Sequence, residues 1–236
     1  MNPGRHTKTA QTKPRLSGIT AGCISLFITA VVLVILLTAS NVYPETKSAQ
    51  YKEHEVKAAF MYNFLKFVNW PKDKITQDNN QITIGIIGED PFGPAADIFK
   101  GKAVEDRKVV VKYFDSARQL KETAEKDKNN ERVRELIGCH LLFICPSEQK
   151  YVKDIIDIVG QRGVLTVGDS EKFIESGCII NFLLEDNKIR FDINLDAADK
   201  AGLEMRSQLL RLARKVIKNG ANVSAPAETT DKQKGK

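Results

Sequence analysis

Apolar positions recur along this chain with three different rhythms, and each rhythm predicts a different element. Over residues 51–70, Val56, Phe60, Phe64 and Phe67 share a broad apolar arc while Asn63, Lys66 and Asn69 share a narrow polar one, the period of a helix. Pro71 disfavours helical geometry at Trp70 and ends that element. "QITIGIIG" (81–88), "KVVVKYF" (108–114), "CHLLFIC" (139–145) and "VLTVG" (164–168) are short continuous apolar runs, the pattern of buried strands. Between them the sequence predicts a charged helix from Ser116 to about 137, a helix over 147–159 and a helical turn at 170–176. "CIINFLLE" and "KIRFDINL" flank Asp186-Asn187, which reads as a hairpin turn. A final helix over 196–218 is predicted from Ala198, Gly202, Met205, Leu209, Leu212 and Val216, spaced by four and three. Continuous apolar strands separated by helices imply a mostly parallel sheet with helices on both faces. The expected class is α/β, a three-layer sandwich whose C-terminal hairpin forms an antiparallel edge.

The amino-terminal region obeys none of these rhythms. Arg5, Lys8, Lys13 and Arg15 precede residues 19–39, an uncharged run of 21 positions. A basic leader before an apolar run marks a signal sequence or an N-terminal membrane anchor. The run exceeds a signal core of about 7–15 residues and reaches the roughly 20 that a spanning helix needs, so the pattern leans to the anchor. Cleavage after Ser40 would use Thr38 and Ser40 as the small residues. In either case the basic end stays in the cytoplasm and the rest is exported. Cys23 within "TAGC" precedes most of the apolar run, the wrong place for lipidation. The organisation expected is thus a basic cytoplasmic leader (1–18), the apolar segment (19–39), a linker (40–50), one α/β domain (51–219) and a polar, disordered tail (220–236).

Charge then excludes one class. Of the net +6, the leader supplies four cations, and the remaining +2 is dispersed over nearly 200 residues, so no nucleic-acid footprint is present. Aromatic side chains crowd into "AAFMYNFLKFVNWP" (58–71). A membrane-surface helix would need a large basic face, and this stretch offers mainly Lys57 and Lys66; a helix buried over a sheet face explains the aromatics better.

Catalytic and metal chemistry finds little support. His6 lies in the leader, His54 stands between Glu53 and Glu55 on a helix, and His140 adjoins Cys139 on a strand, where neighbouring side chains diverge. "GIIGEDPFG" has neither a dinucleotide nor a P-loop spacing, and Pro91 and Pro94 remove amides that a phosphate loop uses. No cofactor or metal is called for. Export permits disulfides, but Cys139, Cys145 and Cys178 are an odd number. Cys139 and Cys145 share a strand face roughly 20 Å apart, beyond bridging range.

Two polar sets remain as candidate sites. On the outer face of the hairpin, Arg190, Asp192 and Asn194 alternate with Ile189, Phe191 and Ile193, and a two-residue turn places Asn181 opposite Asp192. These four residues form either a solvated sheet face or a partner-binding patch, in which the Arg pairs with an acidic group. The second set, Glu89, Asp90, Asp115, Ser147 and Asp169, falls at the carboxyl ends of strands, where open α/β sheets hold ligands; acids capping helix starts account for it equally.

Taken in order, "VKAAFMYNFLKFVNWP", "IGIIGEDPFG", "CHLLFICPSE" and the long segment from "VLTVGDSEKF" to "SQLLRLA" resemble successive signature segments of the YfiR family, over roughly 51–217. The resemblance implies an exported bacterial protein of one α/β domain. The best-known member represses a membrane-bound diguanylate cyclase from the periplasmic side, so the resemblance implies a membrane protein partner and control of cyclic-di-GMP. Members of the family often carry a Cys where Gly85 stands, placed to bridge to the one matching Cys139; Gly85 removes that option here. The function expected is a non-enzymatic regulatory binding module in the periplasm, with a small-molecule sensor as the alternative. Assembly as a homo-oligomer stays open.

Overall fold

The computed structural model describes residues 45–75, 80–114, 116–127 and 129–223. Its first element, α1 (Glu45–Phe67), is 23 residues long. The helix gives way before Trp70 because the next residues, β1 (Val68–Asn69), find backbone partners in β9 (Glu204–Met205). Four strands then occupy the continuous apolar runs: β2 (Gln81–Ile87), β4 (Arg107–Phe114), β5 (Leu141–Ile144) and β6 (Leu165–Gly168). A short β3 (Ala103–Val104) pairs back onto β4 through Glu105 and Asp106, both at positive φ. The hairpin is β7 (Ile180–Glu185) and β8 (Lys188–Asn194). Asp186 and Asn187 both have positive φ, at 49° and 59°, the geometry of a two-residue type I′ turn.

The charged helix predicted after Ser116 is two helices, α2 (Ala117–Lys126) and α3 (Glu131–Ile137). The break comes where the Asn130 carboxamide accepts the Arg132 amide and starts a new helix. Ser116 does not cap α2 with its hydroxyl; the carboxylate of Glu148 accepts the Ala117 amide instead, at 3.2 Å. The helix predicted over 147–159 opens as a 3-10 turn (Pro146–Tyr151) and continues as α4 (Val152–Val159).

The largest correction lies at the end of the domain. In place of one helix over 196–218 there are α5 (Leu195–Lys200), β9, α6 (Ser207–Leu212), β10 (Lys215–Lys218) and β11 (Ala221–Val223). Gly202, at φ +72°, turns the chain out of the helix after α5. The spacing of four and three was met by apolar residues of several short elements facing one core.

Among the described residues the main sheet has nine strands in the order β11-β10-β8-β7-β6-β5-β2-β4-β3. From β4 to β7 all pairings are parallel, and β10 is parallel to β8. The hairpin β7–β8 is antiparallel, as expected, but β10 and β11 extend the sheet beyond it, so the hairpin lies inside the edge. Helices cover both faces. One buried cluster joins α1, α5 and α6 to the sheet through Met61, Phe64, Phe182, Phe191, Ala198 and Leu209. The other joins α2, α3 and α4 to it through Leu120, Leu136, Leu142, Ile144 and Ile155. The aromatic stretch is therefore core: Phe64 is fully buried and its ring meets Phe191 at 5.0 Å and Phe182 at 5.7 Å. Two residues of that helix depart from expectation. Val56 is 44% exposed and Lys57 is buried.

Residues 19–39 and most of the 220–236 tail lie outside the described residues, and among those described no helix is long and apolar enough to cross a membrane.

Candidate functional site

The hairpin register pairs Asn181 with Asp192 and Leu183 with Arg190, so the four polar residues singled out in the sequence share one sheet face. Three of them spend their polar atoms inside the protein. Asp192, buried, accepts two hydrogen bonds from Arg214, Nε to Oδ1 at 2.9 Å and Nη2 to Oδ2 at 2.6 Å. Such a bidentate pair is among the stronger charge-assisted contacts. Arg214 also reaches Glu185 at 3.4 Å, and the two carboxylates hold its guanidinium more firmly protonated still. The Asn181 carboxamide accepts the Ser170 amide and donates to the Phe182 carbonyl. Asn194 caps α5 by accepting the Ala197 amide at 3.0 Å, and donates to the Ile174 carbonyl. Arg190 is different: it is exposed, with no hydrogen bond or ion pair among the described residues. Arg214 was missed in the sequence because it was assigned to a helix; the β-branched pair Val216-Ile217 ahead of Asn219-Gly220, a hairpin-turn dipeptide, was the signal for a strand.

The second set gathers where the strand order reverses, between β2 and its two parallel neighbours β4 and β5. The Ser147 hydroxyl accepts the Glu89 amide at 3.0 Å and ties the loops after β2 and β5 together. Gly88, at φ +100°, allows this closure: a Cβ there would stand 2.5 Å from that hydroxyl. The Asp90 carboxylate accepts the amides of Phe92 and Gly93 and so fixes its own turn. Asp169, at the end of β6, accepts a hydrogen bond from Lys57 at 2.7 Å, and the same ammonium donates to Glu53 at 2.5 Å. Asp115 lies outside the described residues. The cluster is thus knit to itself, and its inner cation comes from α1. His54 stands at its rim, half-buried rather than solvated, with its ring edge-on to Phe92; burial, then the Lys57 charge, lowers its pKa. Lys57 and Glu148 were not found by sequence reasoning, since Asp169 and the Ala117 amide that they bind are distant in the chain, and Glu53 joins the site only through Lys57, one turn along α1. The two sets meet at the loop after β6, where Asp169 binds Lys57 and the next amide binds Asn181.

Cys139, Cys145 and Cys178 are buried and free. Burial pushes each thiol up to about 12, and at Cys145 the charges of Asp90 and Glu148 add to it. Thiols with such values are poor nucleophiles. No group of three His, Cys, Asp or Glu residues that could hold a metal occurs among the described residues.

Solved structures share only a loose likeness with this chain. A conserved domain protein from Vibrio cholerae is 11% identical, with a TM-score of 0.45 over 70% of this chain and 60% of its own. A Streptococcus pneumonia ABC domain in complex with L-Trp is 11% identical, with a TM-score of 0.42 over 59% of this chain and 56% of its own. The chain therefore spans less than two thirds of either protein. Among curated proteins nothing matches. Residues 54–214 match the family described as DUF4154, YfiR/HmsC-like, and the chain belongs to that family of periplasmic regulatory proteins.

Proposed function

We propose that this periplasmic regulator binds and restrains a membrane signalling partner, a diguanylate cyclase, through the outer face of the hairpin β7–β8, without chemistry of its own. Arg190 carries the reading. Asp192, Asn181 and Asn194 beside it are already bonded within the domain, so its exposed guanidinium is left for a carboxylate of the partner. Residues 19–39 would tether the domain at the inner membrane, next to such a partner. A small-molecule sensor would use Glu89, Asp90, Ser147 and Asp169; Lys57, which already pairs with Asp169, favours the binding module instead.

Cyclic-di-GMP levels test the proposal in cells with the gene deleted, and in cells producing the Arg190→Glu protein. Both should show raised cyclic-di-GMP, the second at wild-type protein level. Unchanged cyclic-di-GMP on deletion would overturn the regulatory reading for this chain.

A further inference from the structure

One half of the sheet lacks a layer that the rest possesses. β6 and β7 are parallel neighbours, a pairing that needs a crossover connection, usually a helix lying on the sheet. Here residues 169–179 make only turns. The helices on that side, α2, α3 and α4, pack on Ile87, Phe114, Leu142, Ile144 and Val164, and their buried cluster contains no residue of β7, β8 or β10. The later helices α5 and α6 bury Ala198 and Leu209 in the opposite cluster. Among the described residues, then, no helix covers this face of β7, β8 and β10.

The 169–179 turns lie over Asn181 and Asn194, and pairing registers say what the rest of the face presents. Glu185 and Lys188, Leu183 and Arg190, and Asn181, Asp192 and Lys215 form successive rows across it, and Ile217 follows beside Asn194. Lys188, Arg190, Arg214 and Lys215 oppose two carboxylates, Glu185 and Asp192, and both of these are taken by Arg214. Lys188, Arg190 and Lys215 have no ion pair among the described residues; Leu183, beside Arg190, and Ile217, one row beyond Lys215, are half-buried. The face is cationic, with half-buried apolar residues in two of its rows, Leu183 and Ile217. Beside it, between α4 and the 175–179 turn, lies a groove of about 470 Å³ with Ile156, Val164 and Ile179 in its lining.

We propose that an acidic amphipathic helix of the membrane partner seats on this face and completes the missing layer. Its apolar stripe meets Leu183 and Ile217, and its carboxylates meet Lys188, Arg190 and Lys215. A helix fits because an open sheet face in this fold class is what helices cover, whereas strands add at edges. An acidic one fits because the free charges are all positive. The inference rests on the regulatory reading and names the partner's chemistry.

The test uses the full-length protein in its own cells, with the photocrosslinker benzoylphenylalanine at Lys188 and, as a control over the helix-covered half of the sheet, at exposed Lys150. Irradiation should join position 188, and not 150, to a membrane protein, and mass spectrometry should place the crosslink in an acidic helical segment. Arg190→Glu with Lys215→Glu should weaken that crosslink by more than about 30-fold, the lower end for charge reversal at a paired site, while the thermal unfolding midpoint stays unchanged. A crosslink to a second copy of this chain, to a basic or extended segment, or to nothing overturns the inference. If deletion raises cyclic-di-GMP while position 188 captures nothing, the regulatory reading stands and only this surface is wrong.

Discussion

The ammonium of Lys57 lies 2.7 Å from a carboxylate oxygen of Asp169, joining α1 to the end of β6 across 112 residues of chain. The Lys57 side chain is 5% exposed and that of Asp169 15%. Removing one partner of a buried pair strands the other charge and costs about 3–5 kcal/mol. Lys57→Ala should lower stability by about 3 kcal/mol in urea unfolding, since Glu53 and Asp169 keep some solvent. Lys57→Met with Asp169→Leu should recover most of that loss. A loss below about 1 kcal/mol in the single variant would show that water already screens the site.

His140 predicts an acid response. Its Nδ1 accepts the Thr83 amide at 3.1 Å, and burial, with the charges of Lys74 and Arg107, lowers its pKa from 6.5 to about 4. The unfolded chain therefore takes a proton between about pH 6.5 and 4 that the folded protein refuses, so stability falls as pH falls through that window. His140→Asn keeps an acceptor for Thr83 without the titration. Its stability should slope less steeply between pH 6.5 and 4 than that of the wild type; parallel slopes would mean that His140 does not carry the effect.

At Gly85 an added Cβ would stand 2.8 Å from the Cys139 sulfur, and β2 and β5, which hold or adjoin the two residues, are neighbours. That is close to the spacing of a Cβ and the far sulfur in a disulfide. Gly85→Cys should form a bridge to Cys139 on export, read as a linked peptide pair in a non-reducing digest. Wild-type protein should release Cys139 as free thiol after denaturation. A wild-type Cys139 found in a disulfide would contradict the buried, unpaired thiol.

Core and surface should separate cleanly between two substitutions. Phe64→Ala empties a fully buried site among three rings, Phe60, Phe182 and Phe191, and should cost about 3–5 kcal/mol. Arg190→Glu changes an exposed side chain and should cost less than about 1 kcal/mol. Equal losses in thermal unfolding would mean that Arg190 supports the fold.

Where a signal was local, the sequence carried it. The period of two along 188–194 and the Asp-Asn turn were enough to put Asn181 opposite Asp192. The parallel strands were legible because strands covered on both faces read as unbroken apolar runs. Beyond position 195 the pattern misled, since a helical spacing of apolar residues arises equally when short elements turn one side each to a common core. Gly202 was the residue to weigh more heavily there. Lys57 and Arg214 were invisible for another reason: the acids that bind them, Asp169 and Asp192, are brought near only by the finished topology.

Three buried thiols set a race for this chain in an oxidising compartment. Once folded, Cys139, Cys145 and Cys178 are sealed and protonated, and oxidants find no thiolate to attack. Before folding, all three are open to the catalysts that make disulfides, and any pair joined at that stage departs from the folded protein, in which all three are free. Packing of the two cores, with no covalent staple among these three thiols, is what holds the domain.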